Sequence, residues 1–304
     1  MDKKNLIGGG QFAYLIMAHN EPEIFKVLVD LLDDERNDVF VHVDAKSDIS
    51  LFDCIEPKKS RIFFIKDRVS NYWGATTQMQ TEFRIFEEAF KHGPYTYYHL
   101  ISGVDLPLKS QDYIHNLLEN ELYGKEFIGC EPQFNPTDDP VLMRVKYYCF
   151  HQKHLKPSNA ALQFLANCRR HIEMHVQRLL GVNRKQSYTL GFGPQWVSVT
   201  HPFVEHLISQ KERVLSEFSK TLCIDEMFIQ SVFQSSPFKQ NIYDETNSYH
   251  SCLRKIDWNR GTPYVWRSDD FEELTNDDYL FARKFSSCDM DIVLKIRNYI
   301  KSIT

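Results

Sequence analysis

Acidic residues at two places in the chain could act on a hydroxyl group or hold a nucleotide. In the block Ile224-Asp225-Glu226-Met227 two acids open a predicted helix. A carboxylate within hydrogen-bond reach of a hydroxyl can be its general base, but acids at a helix start are also ordinary caps. Spacing alone does not separate Glu226 from the rest of the 41 acids. Asp44, at the end of a predicted strand, could bind a ribose or a base, or cap its own loop.

The acids that would hold a metal ion on a diphosphate are missing from the expected place. Metal-dependent transferases with an α/β sheet carry D-x-D on the loop after a central strand. The equivalent loop here, LISGVDLPLKS (100–110), has the single acid Asp105. The D-x-D at 289–291 opens a predicted helix, where acids favour the helix dipole. Without a metal, Arg or Lys must stabilise the leaving diphosphate. Six candidates lie late in the chain: Arg254, Lys255, Arg260, Arg267, Arg283 and Lys284.

The elements that must position these residues alternate between strands and helices in the first 130 residues. Apolar runs predict strands, and a 3.6-residue period predicts helices. The order β-α-β-β-α-β-α indicates an α/β fold, a Rossmann-like, mostly parallel sheet flanked by helices. Ligands of such sheets bind beyond the carboxyl ends of the strands. The predicted strands are 12–18, 39–43, 62–65 and 95–102, and the predicted helices are 21–34, 76–91 and 111–120.

The later part of the chain is predicted to begin with a long basic loop at 134–158, followed by a helix at 158–181. Arg169, Arg170 and Arg178 fall away from the apolar stripe of this helix. They form either an ordinary solvated face or a patch for acidic lipid headgroups. The stripe is Ala161, Leu165, Cys168, Ile172, Val176 and Leu179. The remaining predictions are strands YTLGFG and QWVSVT and helices at 201–218, 224–236 and near 289–301.

Composition limits the class of protein and its partners. The net charge of −5 argues against nucleic acid as a partner. The seven scattered cysteines include no C-x-x-C pair, which argues against a disulfide framework or a zinc site. No apolar run reaches membrane-span length, and MDKKNLIGGGQF lacks the apolar stretch of a signal peptide. The expected location is the cytoplasm, with peripheral contact at the inner face of an acidic membrane as an option.

Eight sequence blocks, in order from about residue 12 to 288, resemble one known family. They are AYLIMAHNEPEIFKVLVDLL, VFVHVDAKSD, RVSNYWGATTQMQ, YYHLISGVDLPLKS, LGFGPQWVSVT, IDEMFIQSVF, IDWNRGTPYVW and LFARKFS. Together they are similar to the core-2/I-branching β-1,6-N-acetylglucosaminyltransferases, a family that includes peptide O-xylosyltransferases and bacterial members. The resemblance implies one glycosyltransferase domain over 1–304 with an A-type fold. Residues 11–130 would bind the nucleotide sugar, and 131–304 would serve the acceptor and clamp the diphosphate.

The resemblance also implies a mechanism and site residues. The reaction would be an inverting single displacement without metal or cofactor, with a UDP-sugar as donor. Glu226 would be the catalytic base, and Arg260 (or Arg267) with Lys284 would hold the diphosphate. Val43 and Asp44 would bind the uridine, and Trp73 would wall the uracil. Arg144 and Lys146 would face either the acceptor or the donor phosphates.

Expectations for the acceptor and the sugar follow from the expected compartment and from the family resemblance. Because the sequence shows neither a membrane anchor nor a disulfide pattern, we expect a bacterial-type enzyme. Its acceptor would be a glycan or lipid-linked glycan in surface polysaccharide synthesis. N-Acetylglucosamine is the expected sugar, with xylose or a hexose as alternatives. Three rival interpretations stay open: a metal-dependent transferase using Asp105 or Asp289 with Asp291, a glycoside hydrolase with paired carboxylates, and a non-catalytic UDP-sugar-binding protein.

Overall fold

The computed structural model describes residues 11–131, 141–157 and 159–303. The helices and strands in these ranges are, in chain order, β1 (Phe12–Ala18), α1 (Pro22–Leu32), β2 (Asn37–Val43), β3 (Arg61–Phe64), α2 (Thr77–His92), β4 (Tyr97–Ser102), β5 (Leu106–Pro107), α3 (Gln111–Asn116), α4 (Leu142–Lys146), α5 (Ala160–Leu179), β6 (Ser198–Thr200), α6 (His201–Ser209), α7 (Lys211–Phe218), α8 (Phe228–Gln234), α9 (Ser248–Cys252), β7 (Arg254–Ile256), α10 (Phe271–Thr275), β8 (Phe281–Arg283) and α11 (Met290–Ser302).

A five-stranded sheet in the order β3-β2-β1-β4-β6 forms the centre of the protein. Its first four strands are parallel, and β6 runs antiparallel to β4. Strands β1, β2 and β4 are buried along their whole length, as expected for parallel strands covered on both faces. The predicted α/β class, a mostly parallel sheet flanked by helices, is confirmed.

The side chains of β1 alternate between two hydrophobic cores, one on each face of the sheet. Tyr14 and Ile16 pack in the core that contains residues of α1 and α11. Leu15 and Met17 pack in the core that contains residues of α2 and α6. This period of two follows from the alternating direction of successive Cβ atoms in a strand, and it anchors the carboxyl end of β1 between two covered faces.

A second, three-stranded sheet joins distant parts of the chain near the carboxyl end of β4. In it β8 pairs antiparallel with β5 and parallel with β7. Leu108 donates its backbone N–H to the Leu280 carbonyl at 2.8 Å, and Phe285 donates to the Val104 carbonyl at 2.9 Å. Since β5 directly follows Asp105 and β8 ends at Arg283, this sheet brings these two residues together.

Several predicted elements differ from the structure. The YTLGFG segment is irregular rather than a strand, and QWVSVT contributes only β6. The predicted helix 201–218 divides at Gln210 into α6 and α7. The predicted helix 224–236 begins with a separate 3₁₀ turn at Ile224–Glu226 before α8. The predicted loop 134–158 contains α4; its residues 134–140 and 158 lie outside the described ranges.

Helix α5 exposes the stripe that an ordinary surface helix would bury. Leu165, Ile172 and Leu179 are 60 %, 63 % and 74 % exposed. The buried positions are Ala166 and Gln177 instead. The Gln177 amide accepts from the Tyr148 N–H at 2.8 Å and donates to the Tyr148 carbonyl at 2.9 Å. The polar side of the helix therefore fixes it to the protein. Across the described ranges, no helix combines the length and apolar character that crossing a bilayer requires.

Candidate active site

Two adjoining cavities lie beyond the carboxyl ends of β1, β2 and β4. The strand-end cavity, about 300 Å³, is lined by residues at those strand ends and by the loop after β3. The Glu226 cavity, about 500 Å³, lies beside it. Five residues line both cavities: Trp73, Gln78, Gln195, Trp196 and Arg283. The sheet order changes direction between β1 and β4, which is where open α/β sheets bind their ligands.

Asp44 lines the strand-end cavity and also organises its wall. One carboxylate oxygen accepts from the Lys46 N–H at 2.9 Å, and the other accepts from the Asn71 N–H at 3.1 Å. The side chain is 5 % exposed. Asp44 is thus a loop cap and a cavity residue at once. It ties the segment that leads to Trp73 against the end of β2.

Trp73 stands between the two cavities with 56 % of its surface exposed. The next residue, Gly74, has a φ of +68°, a region that glycine enters without steric cost. Its carbonyl accepts from the Cys223 N–H at 2.8 Å. This bond joins the loop that carries Trp73 to the segment that begins the Ile224–Glu226 turn.

Glu226 ends that turn at the Glu226 cavity, and its side chain is 36 % exposed. The Gly193 N–H donates to the Glu226 carbonyl at 3.0 Å. A Cβ at position 193 would lie 2.0 Å from the Gly129 carbonyl oxygen, so this close backbone approach requires glycine. Gly193 of the GFG segment, which the sequence pattern assigned to a strand, therefore serves to position the glutamate.

Arg144 pairs with the Glu226 carboxylate through Nη1 at 2.6 Å. Its guanidinium also lies 5.5 Å from the centre of the Phe192 ring. The sequence left open whether Arg144 faces acceptor or donor phosphates; the structure places it on the candidate base. Since a general base must reach a substrate proton, the acceptor hydroxyl has to share or displace this contact.

Two buried carboxyl groups lie next to the candidate base. Burial and the neighbouring Glu226 raise the pKa of Asp225 to about 7. Burial, with a further contribution from Asp225, holds the pKa of Glu82 well above its ordinary value. Gln195 donates to Glu82 at 2.8 Å, and the Gln78 amide lies 3.3 Å from both Asp225 oxygens. Burial thus favours protons on these two groups, whereas Glu226 opens to the cavity.

Arg283 is the functional candidate that sequence reasoning did not select. It lines both cavities, its guanidinium carbon is 4.2 Å from the centre of the Trp196 ring, and its Nε is 3.7 Å from Asp105. Its Nη1 is buried and has no hydrogen-bond partner among the residues that the structure describes. In the sequence, Arg283 stands beside Lys284 in the LFARKFS block. That position did not distinguish it from the five other cations of the same stretch as a candidate for binding the diphosphate.

The other predicted site residues are distributed differently. Arg260 lies outside the linings of both cavities, paired with three carboxylates: Asp257, Asp270 and Glu273. Its fallback, Arg267, also lies outside both linings and donates its backbone N–H to Asp270 at 2.8 Å. The structure therefore does not bring either arginine to the cavities.

Val43 and Lys284 lie close to the cavities without lining them. The Val43 side chain is fully buried in the core that contains α1, so only its main chain faces toward the strand end. Lys284 follows β8, and its charge is among the causes that lower the pKa of His19, after burial, which is the largest. His19 itself lines the strand-end cavity. Lys284 directly follows Arg283, which lines both cavities.

The acids considered for metal binding have other partners. Asp105 is 1 % exposed and accepts from the Ser102 N–H at 2.8 Å, besides facing Arg283. Asp289 caps α11 through the Ile292 N–H at 3.3 Å and binds the Ser268 hydroxyl at 3.0 Å. Among the residues described, no three His, Cys, Asp or Glu side chains gather in a metal-binding arrangement. At the position expected for D-x-D, the carboxylate thus faces a guanidinium.

Comparison with known proteins establishes the family. A family model described as Core-2/I-Branching enzyme matches residues 12–279. The chain belongs to the core-2/I-branching enzyme family. It is therefore a glycosyltransferase, and the predicted resemblance is confirmed. An enzyme of this family uses a nucleotide-sugar donor and a glycan acceptor.

Two further comparisons accompany that match. A search of the curated proteins gives no match to this core-2/I-branching enzyme. Among solved structures, mouse xyloside xylosyltransferase 1 in its apo form is similar over 89 % of this chain and 97 % of the other chain, at 13 % sequence identity and a TM-score of 0.35.

Proposed function

We propose that this enzyme transfers N-acetylglucosamine from a UDP-sugar to a glycan hydroxyl, with inversion at the anomeric carbon and without a metal ion or cofactor. The observation that carries the proposal is the joint lining of one cavity by a carboxylate, Glu226, and a guanidinium, Arg283, one of whose donors has no partner within the described part of the chain. The two charges are those that an in-line displacement from a diphosphate requires, a base on one side and a cation on the other.

The donor would occupy the strand-end cavity and the junction between the cavities. The uridine would lie against Asp44 and the main chain of Val43, with Trp73 as a wall for the uracil. The diphosphate would lie at Arg283, whose Nη1 has no partner in the described ranges, and Lys284 would add positive charge beside it. We thus assign to Arg283 the role that the family resemblance gave to Arg260 or Arg267. Residues 11–130 would then serve mainly the donor, and 131–304 mainly the acceptor and the diphosphate, within one domain.

The acceptor would enter the Glu226 cavity, whose walls include Trp258, Phe192 and Tyr249. Aromatic rings of this kind present apolar faces of sugar-ring size beside polar edges. As the acceptor hydroxyl displaces Arg144 from Glu226, the carboxylate would take the hydroxyl proton. The oxygen attacks the anomeric carbon, the bond from that carbon to the diphosphate oxygen breaks, and the electron pair leaves with UDP next to Arg283.

Glycans of bacterial surface polysaccharides, built on the cytoplasmic side of a membrane, are the acceptors we propose. The support for this class is the family assignment together with the basic 141–185 segment described below. If the donor sugar were xylose or a hexose instead of N-acetylglucosamine, the roles of Glu226 and Arg283 would be unchanged.

The test is turnover by the full chain with a panel of UDP-sugars and oligosaccharide acceptors in EDTA. We expect UDP release only when acceptor is present, strongest with UDP-N-acetylglucosamine, and a β-configured product by NMR. Turnover that needs Mg²⁺ or Mn²⁺ would instead support a metal-dependent transferase. Hydrolysis of a glycoside, or UDP-sugar binding without transfer to any acceptor, would overturn the proposal in favour of the other two interpretations.

A further inference from the structure

The exposed stripe of α5 is the largest run of uncovered apolar side chains on one described element. The helix packs on the protein through Gln177, Arg170 and Glu173, of which Arg170 donates to the Tyr148 carbonyl at 3.1 Å and Glu173 accepts from the Phe150 N–H at 2.8 Å. Seven large apolar side chains on the helix and its C-cap are 45 % to 74 % exposed: Leu162, Phe164, Leu165, Ile172, Val176, Leu179 and Leu180.

The orientation of this helix reverses the usual one, since apolar faces normally cover the core and polar faces meet water. Contiguous exposed apolar surface of this kind ordinarily marks an interaction site. The bonds of Gln177 to the main chain of Tyr148 hold the reversed orientation in place. The stripe is thus built to face outward, and it needs an apolar occupant.

The charges around the stripe indicate what kind of surface the stripe binds. Residues 141–185 contain nine Lys and Arg and one acid, Glu173, in a chain whose net charge is −5. Exposed cations stand at both ends of the helix, Lys153 and Lys156 before it and Lys185 after it. An apolar stripe flanked by cations matches the interface of an anionic bilayer, where apolar side chains reach the acyl boundary and cations meet lipid phosphates. A second copy across a two-fold axis would set these cations against each other.

The segment that leads into α5 lies at the Glu226 cavity. Lys156, four residues before α5 begins, lines that cavity, and its Nζ is 5.3 Å from the centre of the Trp73 ring. A bilayer bound at α5 would thus lie next to the chain segment that lines the cavity of the candidate base.

We propose that α5 docks in the headgroup region of an anionic lipid bilayer and that the acceptor is a lipid-linked glycan presented at that surface. The docking stands on the α5 geometry alone, while the identity of the acceptor rests on the proposed transferase function. Apolar contacts of Leu165 and Ile172 supply the depth of insertion, and the flanking cations supply the preference for anionic lipid.

The test is co-sedimentation of the full chain with phosphatidylcholine vesicles, with and without phosphatidylglycerol, at low and high salt. We expect binding to the anionic vesicles, weakened by salt, and a loss of at least about tenfold in partition for Leu165→Gln/Ile172→Gln. The control is Leu51→Gln/Leu294→Gln, which alters exposed leucines elsewhere on the surface and should bind vesicles as the wild type does. Calorimetry with UDP, without vesicles, should show equal affinity for all three proteins. A misfolded variant would be recognised by its loss of UDP binding.

Three results would overturn the docking proposal: no vesicle binding by the wild type, equal binding of wild type and Leu165→Gln/Ile172→Gln, or a concentration-dependent dimer in light scattering that only this variant loses. The last result would assign the stripe to a second copy. Vesicle binding combined with failure of every UDP-sugar would retain the docking and reject the transferase function. A lipid-linked acceptor used no better than its water-soluble glycan would reject the acceptor assignment.

Discussion

Arg260 and Arg283 come from one stretch of sequence and end in opposite environments. Arg260 is surrounded by three carboxylates and lies over the Tyr264 and Trp266 rings, at 4.3 and 5.1 Å from their centres. Within residues 11–131, 141–157 and 159–303, Arg283 faces one carboxylate at 3.7 Å, packs on the Trp196 ring and keeps a buried Nη1 without a partner. A cation is therefore available to a substrate only where the protein leaves its charge incompletely neutralised and where the residue lines a cavity.

Substitution of the candidate base, Glu226, should cause the largest loss of activity. Glu226→Gln keeps an acceptor oxygen for Arg144 but removes the proton acceptor, so kcat should fall by about 10³–10⁴. The affinity for UDP should stay within about twofold, because the base does not contact the diphosphate. Initial-rate kinetics and calorimetry measure the two quantities. Retention of a tenth of the wild-type kcat would remove Glu226 from the role of base.

The next largest effect separates the two arginines directly. Arg283→Gln would leave Asp105 buried without its cation, so we pair it with Asp105→Asn, which keeps an oxygen for the Ser102 N–H. The double variant should lose about 10² to 10³ in kcat, since the leaving diphosphate loses its donor. Thermal unfolding should show that it is folded. A double variant that is folded and fully active would contradict the assignment of Arg283.

A third prediction concerns pH and a carboxyl group away from the cavities. Burial raises the pKa of Glu126 to about 7, although Thr200 donates to it through its N–H. The folded protein thus prefers the protonated form, so its free energy of unfolding is highest below the unfolded pKa and falls as pH rises toward 7, by up to about 3 kcal/mol. In Glu126→Gln, whose amide can accept from the Thr200 N–H and donate to its hydroxyl, this slope should shrink. Urea unfolding at pH 5 and pH 8 measures both slopes; equal slopes would refute the assignment.

The smallest effect is expected for Arg260→Gln, the matched control for Arg283. The Arg260 side chain is 40 % exposed, so solvent screens its ion pairs. Asp270, the most buried of its partners, keeps the hydrogen bond from the Arg267 N–H, so the melting temperature should fall by at most about 4 °C. Activity and UDP affinity should be unchanged within error. A loss of kcat comparable to that of the Arg283 variant would reverse the comparison and restore Arg260 to the site.

The sheet and its ligand-binding edge could be predicted because their signals are local. The apolar runs of β1 and β2 and the period of α1 and α2 place each element within a few residues of its position in the structure. Asp44 and Trp73 then follow at the cavity, since loops after parallel strands meet at one edge. Glu226 came from family resemblance rather than spacing, yet the structure places it at the adjoining cavity.

The choice among cations could not be predicted, because it depends on contacts between residues far apart in sequence. Arg283 meets Asp105 only through the small sheet of β5, β7 and β8, and Arg260 meets Asp270 and Glu273 across a turn. The orientation of α5 could not be predicted for a related reason. Its period identifies a helix, but the partners of Gln177 and Glu173 at Tyr148 and Phe150, more than 20 residues earlier, decide which face turns inward.

Calorimetric titration of UDP in EDTA distinguishes the two arginines, with the wild type, Asp105→Asn/Arg283→Gln and Arg260→Gln compared side by side. We expect metal-free binding by the wild type and Arg260→Gln alike. The affinity should be weakened by about 10- to 100-fold in the Arg283 double variant, since a charge-assisted contact to the diphosphate is lost. Loss of affinity in Arg260→Gln with none in the double variant, or binding that requires Mg²⁺ or Mn²⁺, would contradict these expectations.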